Sequence, residues 1–416
     1  MLLSCFKNQS FRYLWTAGCF TGIARAMEFL TLSLYILNDF GLAYLITVIF
    51  ACRMLPMSML GLIIGSISEK ISPILIVRFL YSLSFSFTLI CVFLKNFDYF
   101  NLFFALLLAF INGTTWVIDL AVRRRIITEN ITEKLLSTSL AMETLSNNST
   151  RLIGPLLAGF LYVAIDLEGL LLIISSLYFL ALSLIICFEK ISINLNASST
   201  LQKNIVYEFI SVFKSLKTII FNAFKDINLK LLLIVTLVFN LFGFPLISLI
   251  PVYGKNILNL NEAEIGFLAS SEGVGALIGA LIIAKISPQK RLSIFFLIGC
   301  IGFFVGMLLF SVSSSLIIGF LFLCLGGMCL SGFSTMQGAL TYRSAEKGKR
   351  GYNFGVLVTC IGLAPIGMII ISLIINLIGV EQVIRLNAII ALTSLIFIAY
   401  LICLLYTSPS PRDLST

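Results

Sequence analysis

The chain has 416 residues, 59% of them hydrophobic and only 11% charged, with a mean hydropathy of +1.07 and a formal net charge of +9. A soluble domain carries about 25% charged residues, so a chain this poor in charge cannot cover a soluble surface, and lipid must be much of its solvent. There is no histidine, which excludes histidine-activated nucleophiles and histidine-ligated metals. The ten cysteines are scattered and form no CxxC pair, so neither a disulfide framework nor a zinc site is expected. No cofactor or metal is expected, and no basic stretch interleaved with aromatics suggests nucleic acid.

The first residues run straight into a long apolar stretch with no small-residue cleavage site, and are read as a first helix rather than a removed signal peptide. A bilayer core of about 30 Å needs about 20 apolar residues per helix. Stretches of that kind are predicted at 13–37, 42–64, 73–94, 99–121, 145–165, 168–188, 231–253, 264–284, 292–312, 315–340, 353–378 and 383–402. The expected architecture is an all-α membrane protein with twelve transmembrane helices.

Charge placement tests the count. With the N-terminus in the cytoplasm, 20 basic residues fall in cytoplasmic segments, and only Lys95, Lys255 and Arg385 fall in outer loops. That asymmetry is what the positive-inside rule requires, and one miscounted span would destroy it. The composition, rich in Ile, Lys and Asn, suggests a bacterium, and the expected location is its cytoplasmic membrane.

The expected organisation is a six-helix bundle over 1–188, a cytoplasmic linker over 189–230, and a second bundle over 231–402. The linker has apolar residues at helical spacing with lysines opposite, and reads as an amphipathic helix on the membrane surface. Residues 403–416 resemble the translation of a sequencing adapter, so the natural part of the sequence is expected to stop near Ile402, with the true C-terminus missing. The two bundles look related. Gly61-x-x-x-Gly65 precedes Lys70-Ile71-Ser72-Pro73, and Gly275-x-x-x-Gly279 precedes Lys285-Ile286-Ser287-Pro288. Gly154-Pro155 likewise matches Ala364-Pro365. An even number of spans per half makes the repeat parallel, with substrate expected between the halves near the midplane.

Four motifs carry a family resemblance. Gly65-Ser66-Ile67-Ser68-Glu69-Lys70 follows span 2, with Glu69 where an aspartate is usual and Ser72-Pro73 where a basic cluster is usual. Arg53-Met54-Leu55-Pro56 lies in span 2. Arg151-Leu152-Ile153-Gly154-Pro155-Leu156-Leu157-Ala158-Gly159 lies in span 5, with Ala158 in place of one glycine. Gln337 to Arg350-Gly351 joins spans 10 and 11. In this order they resemble the major facilitator superfamily, and in particular twelve-helix efflux permeases similar to enterobactin and macrolide exporters. The resemblance implies two pseudo-symmetric six-helix bundles, a monomer, and export of a small molecule. It also implies a gate built from Gly65, Glu69 and Lys70, with Glu69 held by one of Arg123, Arg124 and Arg125. It further implies a hinge at Arg151, Gly154, Pro155 and Gly159. In span 5, proline kinks the helix and small residues permit close packing against the opposite half. Plain packing or loop anchoring is the competing reading for each of these.

Ionisable groups deep in the spans are costly unless paired or hydrated, so they default to functional candidates. They are Arg25 and Glu28 in span 1, Arg53 in span 2, Asp119 in span 4, Arg151 in span 5 and Glu272 in span 8. Burial favours a carboxyl's neutral form, which suits a group that must bind and release a proton. Glu28 or Glu272 is expected to carry it, with a static Glu28–Arg25 pair as the alternative. Asp119 is expected to pair with Arg123. Asn112 and Trp116, four apart on one helical face, join Asn240 and Gln337 as candidate cavity residues, ordinary interhelical bonding being the alternative. The expected function is proton-coupled export of a small amphipathic drug, siderophore or toxin. Rivals are an uptake permease of the same fold, a membrane-embedded enzyme and a non-transporting receptor. An ATP-driven pump is disfavoured, because no G-x-x-x-x-G-K-S/T stretch occurs.

Overall fold

A computed structural model describes residues 6, 8–60, 72–130, 133–191, 227–286, 292–344 and 350–407. The loop bearing Gly65, Glu69 and Lys70, most of the expected linker, and residues 408–416 lie outside the described residues.

The described residues are helical almost throughout. The N-terminal six helices are α1 (Gln9–Asp39), α2 (Ala43–Leu60), α3 (Pro73–Asn96), α4 (Leu102–Asn130) and two arms, α5 (133–165) and α6 (167–191). Helix α7 runs over Leu229–Asn256, and α8 is Glu262–Ile286. Then come α9 (Leu292–Phe310), α10 (Leu316–Arg343), α11 in two segments (Arg350–Ile361 and Ala364–Ile378) and α12 (Val380–Thr407).

Eleven continuous helices among the described residues are long and apolar enough to cross a membrane. One of them contains both α5 and α6, which are joined only by Asp166, with φ of 53°. That left-handed residue breaks the helix. Gly154, twelve residues before it, packs on Ala26 and Met27 of α1. Tyr178, twelve residues after it, lies within electrostatic reach of Glu28 and Arg25 on the same helix. The two arms therefore pass α1 at one level, and the chain crosses twelve times. It is a multi-pass membrane protein.

Helix starts follow ordinary capping chemistry. The side chain of Asn8 accepts from Ser10 N–H (2.9 Å) and Phe11 N–H (3.3 Å) at the head of α1. Asn261 and Glu264 form a reciprocal capping box at the head of α8, each bond 2.9 Å. The core runs through both halves. Its C-terminal part is aromatic, with Phe333 stacked between Phe239 (4.2 Å) and Phe296 (4.9 Å). Outward faces carry exposed Phe79, Phe93, Leu321, Leu373 and Phe397, as lipid requires.

Two seams join the halves, α5 against α8 and α2 against α11. On the first, a Cβ at Gly159 would meet the Glu262 carbonyl oxygen and Gly266 Cα at 2.6 Å. Only glycine lets these backbones approach so closely. On the second, Ser58 Oγ donates to the carbonyl of Gly362, where α11 is interrupted. Ile366 N–H bonds to Leu363 O (3.0 Å) instead of continuing the ladder, so the Gly362 carbonyl is free to take a donor from the other half.

Candidate functional site

Three arginines and three acids of the N-terminal half form one connected network. Glu143 of α5 accepts from Arg123 of α4. Arg123 also lies 3.6 Å from Asp119, one turn earlier. Asp119 accepts from Arg25 of α1 (2.9 Å) and from the Tyr81 hydroxyl of α3 (2.5 Å). The Arg25 carbonyl accepts from Arg53 of α2 (3.0 Å), and Arg53 donates to Glu28 (2.5 Å). All six charged side chains are at most 10% exposed. Each buried charge has an opposite neighbour, although Arg25 and Arg53 meet through a backbone carbonyl, and such pairing is the condition under which buried charges are tolerated away from water.

Arg25 thus pairs with Asp119, and the partner of Glu28 is Arg53. Arg53 also lies over the Phe29 ring, 5.7 Å from its centroid. Glu28 is fully buried, yet its Oε1 has no hydrogen-bond partner. Asn112 of α4 stands beside it, and both polar atoms of that amide are unpartnered too. Trp116, on the same face, packs with Phe29 and Phe244 against Phe50, Met54, Ala364 and Met368 at the α2–α11 seam.

Arg151 and Glu272 form a separate ion pair, from α5 to α8 across the seam. Here the arginine side chain is 39% exposed and the carboxylate 10%. The seam glycines divide their roles. Gly159 faces Gly266 of the other half, whereas Gly154 faces Ala26 and Met27 of its own half. Pro155 is buried within α5.

In the C-terminal half, α7 contains a π-helical turn at Phe239–Gly243. Its Asn240 donates to the Thr236 carbonyl (2.7 Å), and Gln337 of α10 donates to the Thr236 hydroxyl (2.9 Å). These two candidates therefore converge on Thr236, and Asn240 Oδ1 is left without a partner.

Tyr81 and Glu143 were not singled out from the sequence. Glu143 lies two residues before the predicted start of span 5, and an acid there reads as a loop charge. Tyr81 carries no signal at all. The expected hold of Arg123 on Glu69 has a described competitor, since Arg123 is 2% exposed and already engaged by Glu143 and Asp119.

Twelve crossings in two halves, sealed by close helix packing and enclosing paired charges at depth, define a membrane carrier. The chain belongs to the Major Facilitator Superfamily, whose family model matches residues 14–366 and again 231–415. It is a transporter and not an enzyme. It is 20% identical to the Staphyloferrin A transporter of Staphylococcus aureus (strain NCTC 8325 / PS 47) over 356 residues, 84% of this chain and 86% of the relative. Its fold is similar to that of a POT family transporter crystallised with 5-aminolevulinic acid (TM-score 0.76, 14% identity, 94% of this chain and 95% of the other). It is also similar to the nucleoside transporter NupG (TM-score 0.71, 11% identity, 94% and 99%).

Proposed function

We propose that this transporter exports small amphipathic compounds, siderophores among them, in exchange for protons, and that Glu28 carries the proton. The protein would lie in a bacterial cytoplasmic membrane with its N-terminus in the cytoplasm and act as a monomer. The observation that carries the reading is Glu28: fully buried, bound through one oxygen to Arg53, with the Asn112 amide beside it.

Protonation of Glu28 removes the charge that holds Arg53. Arg53 also grips the Arg25 carbonyl, and Arg25 grips Asp119. A single proton therefore loosens contacts among α1, α2 and α4 together. Alternating access then needs the halves to rock about the two seams, and the glycine contact between α5 and α8 offers a smooth surface for it. The R-x-x-G-P run of α5, similar to that of antiporters, favours export. Glu272, in the other half and paired with Arg151, is the second proton candidate.

The test is accumulation of labelled amphipathic compounds, staphyloferrin A first, in everted membrane vesicles with an imposed pH gradient. Accumulation that collapses when the gradient is discharged supports proton-coupled export. Accumulation indifferent to the gradient rules out proton exchange, and accumulation only in right-side-out vesicles makes the protein an uptake carrier.

A further inference from the structure

Arg25, Arg53, Arg123 and Arg151 are not equivalent. Arg25, Arg53 and Arg123 are 10%, 8% and 3% exposed in their side chains, and each is held by partners within the N-terminal half. Arg151 is 39% exposed. Its Nη2 donates to Glu272 across the seam, and among the described residues no other hydrogen bond uses its remaining N–H groups. A guanidinium offers five donors in a planar fork matched to a carboxylate. Arg151 therefore spends one donor on the opposite half, while its side chain stays 39% exposed.

We propose that Arg151 is the docking point for a carboxylate of the transported compound, which takes the place of Glu272 on the guanidinium. The chemistry is an exchange of one carboxylate for another. Substrate binding would separate the one described ion pair that joins α5 to α8, so loading the site and loosening the seam are the same event. The other charges of the site are paired within their own half, and Arg151 is the most exposed of these arginines. This docking role rests on the reading of the protein as a carrier of amphipathic compounds, but on neither its direction nor its coupling to protons.

The experiment measures binding of 4-phenylbutyrate and of tricarballylate to the purified full-length protein in detergent, with no gradient present. The corresponding amides serve as uncharged controls. Either carboxylate should bind and its amide should not. Arg151→Gln should weaken binding by about tenfold or more, the loss expected for a charge-assisted hydrogen-bond partner. Glu272→Gln, which frees the guanidinium, should tighten binding several-fold, and Arg151→Lys should retain part of it. Equal binding by wild type and Arg151→Gln overturns the proposal, as does a Glu272→Gln variant that binds neither acid. Should Arg151→Gln not fold, the Glu272→Gln measurement decides alone. Intact carboxylate binding with no proton-driven transport would sink the antiport reading and leave this one standing.

Discussion

The guanidinium of Arg123 occupies the space in which a side chain at Gly18 would have to sit. Helices α1 and α4 thus meet through a bare glycine and a buried cation. Arginine is flexible, but this one is 2% exposed and bound to both Glu143 and Asp119, so displacing it breaks two ion pairs. Gly18→Ala is expected to destabilise the protein by about 1–3 kcal/mol, the usual cost of overpacking. Thermal unfolding in detergent measures it, and an unchanged melting temperature would show that Arg123 has another place to go.

The Arg53–Glu28 pair should behave as a unit. Arg53→Met leaves an unpartnered carboxylate in a fully buried position, a loss of roughly 3–5 kcal/mol. Adding Glu28→Gln should recover most of it, because the stranded charge is gone. Unfolding of the two single variants and the double variant closes the cycle. Strict additivity would mean the two side chains do not sense each other.

Gly154 and Gly159, five residues apart, should fail in different ways. Leucine at 154 collides with α1 of the same half, so Gly154→Leu should lower folded yield and melting temperature. Leucine at 159 collides with α8 of the other half, so Gly159→Leu should fold but hold the α5–α8 seam apart. Spin labels at exposed Tyr99 and Val312, on turns of the two halves, should report a longer distance in Gly159→Leu. An unchanged distance would mean the seam accommodates the bulk.

Ser58 supplies the only described side-chain donor to the free Gly362 carbonyl. Ser58→Ala should reduce stability by about 1 kcal/mol, typical of one hydrogen bond, while Ser58→Thr keeps the donor and should melt as wild type does.

The twelve crossings were legible because lipid imposes apolar length, and length survives in a sequence. Helix ends were less so: α1 begins at Gln9 rather than 13, because Asn8 caps it, and α4 continues to Asn130 past its last apolar residue. The buried charges were also legible, since Arg25, Glu28, Arg53 and Asp119 stand out against apolar neighbours. Their pairing was not. Spacing on α1 puts Arg25 and Glu28 on one face, yet each finds its opposite charge on another helix. Which helix lies alongside is a tertiary fact that periodicity does not encode. Arg151 and Glu272 are separated by 121 residues, and nothing local marks them as partners. The π turn at Phe239–Gly243 is equally silent, because it inserts no unusual residue before Pro245.

On the face opposite the N-terminus, α5 turns into α6 through Asp166 alone, and α11 into α12 through Gly379. The other described connections there are only a few residues long. That side of the molecule is nearly bald. An antibody, a phage or a protease arriving from it would find helix ends and little to grip, and a tag could be inserted there only into a turn of a few residues or by breaking a helix.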